Sequence, residues 1–239
     1  MKDSGFPFPL VASKRSEVNA RLLELRSELA GTGEFPVIVG NDESVWQLKQ
    51  NLESHSESLV VPEAIDWDAT AWFQARLAED PEAWQARFDR SKPAASNGIP
   101  EIFGAEPSEA GEDSFFDSLF RGLVKKHDPE VLIAKVPAED SWLLPLKLLY
   151  GAWNDCPMPW EHAMIARYWH EKYGAEISTM RFDSLAFTVS RPPLTAVACA
   201  ELAREQYIYC RDIVDQGMET YTALAESLMG ATTWSFWWD

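Results

Sequence analysis

Bases and cysteines are the scarce residues of this sequence. Only 21 lysines and arginines stand against 38 aspartates and glutamates, a formal net charge of −17 with a pI near 4.6. A chain so short of cations is ill suited to neutralising nucleic-acid phosphates or to lying on an anionic bilayer, so neither partner is expected. Long apolar runs are also missing. The richest stretch, Trp142 to Tyr150, holds Pro145 and Lys147 and falls far short of the roughly 20 residues that span a bilayer. The N-terminal Lys2, Asp3 and Phe6-Pro7-Phe8-Pro9 offer no continuous apolar core for export. Three cysteines, an odd number without a framework spacing, suit reduced thiols. The expected setting is the cytoplasm.

Catalytic signatures are absent in the same way. The sequence has no HExxH, no CxxC and no GxSxG elbow. Gly31-Thr32-Gly33 lacks the third glycine of a dinucleotide loop and precedes an apolar run where such a loop follows one. His162 and His170 are eight apart on one predicted helix, about 80° out of alignment and about 12 Å apart along the axis, so one ion cannot join both. Cys156 with His162, or Cys210 with Asp212, could donate to a metal only if the fold gathered them. Cys199 and Cys210 share a helix face but lie about 16 Å apart, beyond the reach of a disulfide. No metal, cofactor or disulfide is expected.

What is present is ordinary in bulk: 239 residues, 46% hydrophobic and 25% charged, enough for one large domain or two small ones. The acid is concentrated in residues 1–120, which carry 22 acidic and 10 basic side chains. Residues 91–113 read as an acidic linker or long loop, with Pro93, Pro100, Pro107, Gly98, Gly104 and Gly111 among four glutamates and an aspartate. The expected organisation is a helix-rich region over 1–90, that linker, and an α+β domain over 114–239.

Local patterns fill in the elements. Val18, Leu22, Leu25 and Leu29 mark a helix face that Ser16 would cap; Phe35 to Gly40 reads as a strand with a turn at Asn41-Asp42. Val45, Leu48 and Leu52 suggest a helix, another follows Asp68, and Asp80-Pro81 is an N-cap with proline at the first helical position. Val131 to Val136 is a strand. Pro159 to Tyr173 is a helix closed by Gly174, and Ala175–Phe182 with Leu185–Ser190 form a hairpin. Thr195 caps a helix to about Cys210, Tyr221, Leu224 and Leu228 mark the last helix, and Thr232 to Trp238 closes as a strand. Strands and helices in this mixed order favour α+β, with a mixed or antiparallel sheet and packed helices.

The C-terminal residues Glu205-Gln206-Tyr207-Ile208-Tyr209-Cys210-Arg211-Asp212-Ile213-Val214-Asp215-Gln216-Gly217 and Trp234-Ser235-Phe236-Trp237-Trp238-Asp239 carry a resemblance. So do Gly151-Ala152-Trp153-Asn154-Asp155-Cys156-Pro157, Tyr173-Gly174-Ala175-Glu176 and Arg191-Pro192-Pro193. Over roughly Val131 to Asp239 the chain resembles a bacterial family called domain of unknown function 4253. The resemblance implies an α+β domain in a bacterial cytoplasmic protein and brings no activity or catalytic residue with it.

The polar residues least explained by packing are Asn154, Asp155, Tyr209, Arg211, Asp212, Asp215 and Gln216, in turn-like positions beside helix ends. They read either as a binding site on a rigid scaffold or as backbone caps. Trp237 points away from the Trp234, Phe236 and Trp238 face and needs a second cover or a partner. Two functions stay open. One is a non-enzymatic interaction module of accessory or immunity-like type, its acidic surface meeting a basic protein. The other is a small hydrolase or ligand-binding domain with the carboxylates and Tyr209 beside a Trp-rich pocket.

Overall fold

The computed structural model describes residues 5–90 and 130–239; the linker read over 91–113 lies outside the described residues. In chain order come β1 (Leu10–Lys14), α1 (Val18–Glu28), β2 (Glu34–Gly40), α2 (Asp42–Ser58), α3 (Ala69–Glu79) and α4 (Pro81–Arg90). They are followed by β3 (Glu130–Pro137), a short α5 (Leu144–Leu148), α6 (Pro159–Tyr173), β4 (Ala175–Met180) and β5 (Ser184–Val189). The chain ends with α7 (Ala196–Tyr209), a π-turn over Ile213–Met218, α8 (Tyr221–Ser227) and β6 (Thr233–Trp237).

The strands make one sheet in the order β1-β3-β2-β4-β5-β6. All pairings are antiparallel except β2 with β4, where Ile38 lies beside Thr179. This is the α+β architecture with a mixed sheet that the residue pattern predicts. The runs Val37-Ile38-Val39 and Val131 to Ala134 are continuous rather than alternating because β2 and β3 are covered on both faces. On one face Val18, Leu22 and Leu25 of α1 pack on Ile38, Val131 and Ile133. The other face holds the main core, with Val37, Val39, Val45, Leu48 and the aromatic side chains of α6, β5 and β6. β1 and β2, from the region read as separate over 1–90, flank β3 in this sheet. The two regions are therefore interleaved.

Two local expectations agree with the structure for the reasons given: Asp80 Oδ1 accepts from Ala83 N at 2.9 Å at the head of α4, and Gly174 closes α6 with a left-handed φ of 61°. Asn41, read as a turn residue, and Asp68, after which a helix is expected, prove to be the caps of α2 and α3. Ser16 does not cap α1. A 3₁₀ turn over Arg15–Glu17 leads into that helix, and Glu17 stands at the cap without a side-chain bond.

The terminal strand is built into the core. Trp234, Phe236 and Trp238 are buried on one face, and Phe236 stacks on Trp169 of α6 at 5.5 Å. Trp169 also meets Phe187, Trp234 and Tyr209 edge to face at 5.1–5.8 Å. Such pairs add to the large area each ring removes from water. The result locks α6, α7 and the last strand together, and with them the turns at one end of that layer. No helix among the described residues is long and apolar enough to cross a membrane.

Candidate functional site

The turn from Leu149 to Pro157 is conformationally demanding. Leu149, Gly151, Ala152 and Asn154 all take positive φ. Gly151 has no alternative: a Cβ there would lie 2.0 Å from Pro157 O and 2.8 Å from His162 Nε2. Bonds from Ala152 N to Pro157 O and from Cys156 N to Trp153 O close the turn over the first coil of α6. It brings Cys156 Sγ to 3.3 Å from His162 Nε2, while His162 Nδ1 lies 2.5 Å from the Tyr209 hydroxyl on α7.

These three buried groups form one hydrogen-bonded chain. In a neutral imidazole one nitrogen donates and the other accepts, so the donors run in a single direction along it. Burial lowers the His162 pKa to about 3 and pushes the Cys156 thiol and the Tyr209 phenol far up. All three are therefore neutral near pH 7. A protonated, enclosed Cys156 is the opposite of an activated thiolate. The fold does gather Cys156 and His162, but no group of three or more metal-ligating side chains occurs among the described residues. The role of the chain is to bind the 149–157 turn, α6 and α7 to one another.

What it holds in place is a cleft of about 220 Å³ between the α3–α4 corner and the end of α7. Arg76 and Glu79 come from α3, Asp80 from the corner, and Trp84 and Arg87 from α4. Asp155 comes from the strained turn, and Ile208, Tyr209 and Arg211 from the end of α7 and the residues after it. Aromatic rings orient the cations: the Arg76 guanidinium lies over Trp72 at 5.0 Å and that of Arg87 over Trp84 at 5.3 Å. Trp84 is itself fixed, its indole N–H donating to Arg76 O at 2.9 Å. Arg211 pairs directly with Asp155. Partial burial, then the neighbouring Arg87 and Arg76 guanidiniums, draw the Arg211 pKa down against the pull of Asp215 and Asp212. Arg211 thus lies within electrostatic reach of both other guanidiniums.

Besides Arg211, the residues singled out in the sequence, Trp237 among them, divide into two groups. Asp155 and Tyr209 line the cleft, and Asp215 stands behind it, 3.6 Å from Arg87 and accepting the Tyr207 hydroxyl at 2.6 Å. The others secure the chain end. Asn154 donates to Asp239 O, and Asp212 accepts from Asp239 N at 3.1 Å and from Gln216 Nε2 at 3.2 Å. Trp237 O accepts the Cys210 thiol at 2.9 Å, and its ring lies on Gly217, where a Cβ would meet it at 2.7 Å. The second cover that Trp237 needs is the π-turn. Arg76, Arg87, Glu79 and Trp84 were not legible as site residues, because nothing in the spacing of α3 and α4 shows that their corner faces the end of α7.

No curated protein and no solved structure matches the chain. Residues 132–239, which supply Asp155, Tyr209 and Arg211 but not the α3 and α4 wall, match the family described as "Domain of unknown function (DUF4253)".

Proposed function

We propose that this protein is a non-enzymatic binding module of the bacterial cytoplasm whose arginine-lined cleft takes an anionic group. The observation that carries this is the convergence of Arg76, Arg87 and Arg211 on one small cleft, where the carboxylates of Glu79, Asp80 and Asp155 also stand. Three planar donor forks in one cleft suit an anion that bridges them or displaces a carboxylate from them. The overall charge opposes an anion at long range, but that field is screened beyond about 8 Å at physiological salt and direct contacts decide. For a macromolecular partner, the same charge favours a basic protein, whose approach it would speed.

Hydrolysis finds less support. The Tyr209 hydroxyl is turned inward to His162, and oxygens of Asp212 and Asp215 already accept protein hydrogen bonds. Calorimetric titration with acetate, citrate and phosphate at constant ionic strength tests the binding reading. At least one should saturate the wild-type protein at one site and bind at least tenfold more weakly to a folded Arg87→Gln/Arg211→Gln variant. No saturable binding, or equal binding to the variant, rejects the cleft as the site.

A further inference from the structure

We infer that the anion preferred by the cleft is a phosphate dianion, and that Asp155 holds its place in the ligand-free protein. This rests on the anion-binding reading of the cleft. Two of the three guanidiniums are loosely paired. Arg76 Nη1 lies 3.8 Å from Glu79 Oε2 and Arg87 Nη1 lies 3.6 Å from Asp215 Oδ2, distances that balance charge without making hydrogen bonds. Arg87 Nη1 is shut off from solvent on the Asp215 side, so a ligand in the cleft would be met by the other N–H groups of the three guanidiniums.

Three guanidiniums come from three separate elements, and two are held over indole rings. The head of α4 also reaches the cleft, but its Ala83 N–H is already taken by the Asp80 carboxylate, which leaves the guanidiniums as the donors for a ligand. A monocarboxylate can satisfy one fork. A tetrahedral phosphate has the charge and the terminal oxygens for all three. The cleft volume of about 220 Å³ is below the ~300 Å³ at which sites for drug-sized ligands begin, so the ligand is phosphate itself or a monoester with a small substituent.

Of the three arginines, Arg211 is in direct contact with a carboxylate, and that carboxylate belongs to a side chain 69% exposed on a turn. Swinging Asp155 into water strands no buried charge, because water solvates it and the incoming phosphate takes over Arg211. Asp155 is therefore a competitor for the ligand and sets a threshold on its affinity.

The test is titration calorimetry of inorganic phosphate, phosphoserine and acetate with the full chain, at constant ionic strength and pH 8. Asp155→Asn and Glu79→Gln are compared with wild type, each first shown to melt cooperatively. Phosphate or phosphoserine should bind at least tenfold tighter than acetate; whichever is tighter tells free phosphate from a monoester. Asp155→Asn should tighten the phosphate ligand about 5-fold, the ratio set by the upper end of exposed ion-pair energies. Glu79→Gln, which removes an equal charge from the same cleft, should change it less than twofold. Acetate binding as tightly as phosphate overturns the assignment of ligand class and leaves the anion-binding reading intact. An unchanged or weaker affinity in Asp155→Asn, or equal tightening in Glu79→Gln, overturns the role of Asp155. Failure of all three ligands on both wild type and Asp155→Asn removes the anion-binding reading itself.

Discussion

Acid should destabilise this protein through His162. The imidazole is fully enclosed, and burial lowers its pKa from 6.5 to about 3. Between those values the unfolded chain binds a proton that the native protein refuses. Stability must then rise with pH across this window, be complete above about pH 6.5, and fall as the pH approaches 3. One group with such a mismatch costs about 1.4 kcal/mol per pH unit. From pH 6.5 to 4.5 the loss is about 3 kcal/mol, a large part of the 5–15 kcal/mol typical of a domain. Titration of other groups in this interval is common to wild type and variant, so the comparison isolates His162. Urea unfolding at pH 7 and 4.5 should give a wild-type difference larger by about 3 kcal/mol than that of His162→Gln, whatever the absolute stability of the variant. Parallel pH dependences would refute the argument, because they would mean that the native protein accepts the proton.

Three further expectations follow from the same packing. Phe236→Ala removes a fully buried ring stacked on Trp169 and should cost about 3–5 kcal/mol by denaturant unfolding; removing residues 234–239 should leave the protein insoluble. Gly151→Ala, at φ 99° and with a Cβ 2.0 Å from Pro157 O, should lower the melting temperature far more than Gly31→Ala, where φ is 76° and nothing lies within 4 Å. Cys156 and Cys210, buried with thiol pKa values raised by burial, should resist iodoacetamide at pH 8 until denaturant is added, as peptide mapping would show; rapid native labelling would contradict the enclosed chain.

Much of the fold is legible because its signals are local. Asp80-Pro81, Thr195 and Gly174 mark helix ends through single backbone bonds or a single left-handed residue. Trp234, Phe236 and Trp238 alternate because β6 buries one face, and Leu185, Phe187 and Val189 alternate in type although Ser184 and Ala186 on the other face of β5 are buried as well. The topology is not legible in the same way. β2 pairs with β3 through partners such as Pro36 and Lys135, and no local rule places it between β3 and β4. β1 escapes because five residues at a sheet edge are only partly buried and carry no clean alternation. The site divides likewise. Asp155, Tyr209 and Arg211 stand out as polar residues at turns beside helix ends, whereas Arg76 and Arg87 look like ordinary solvated cations until α3 and α4 bend at Asp80. The Cys156–His162 contact depends on four left-handed residues, of which only Gly151 is a glycine.

If three arginines act as one site, their side-chain Nε–Hε resonances report on them individually. In a nitrogen-15 correlation spectrum recorded during a phosphate titration at constant ionic strength, Arg76, Arg87 and Arg211 should shift together along one saturation curve. Arg21, which pairs with Glu24 and Glu28 on α1 away from the cleft, should stay still. Shifts that grow without saturating, or that spread equally over Arg21 and the cleft arginines, would contradict the proposal.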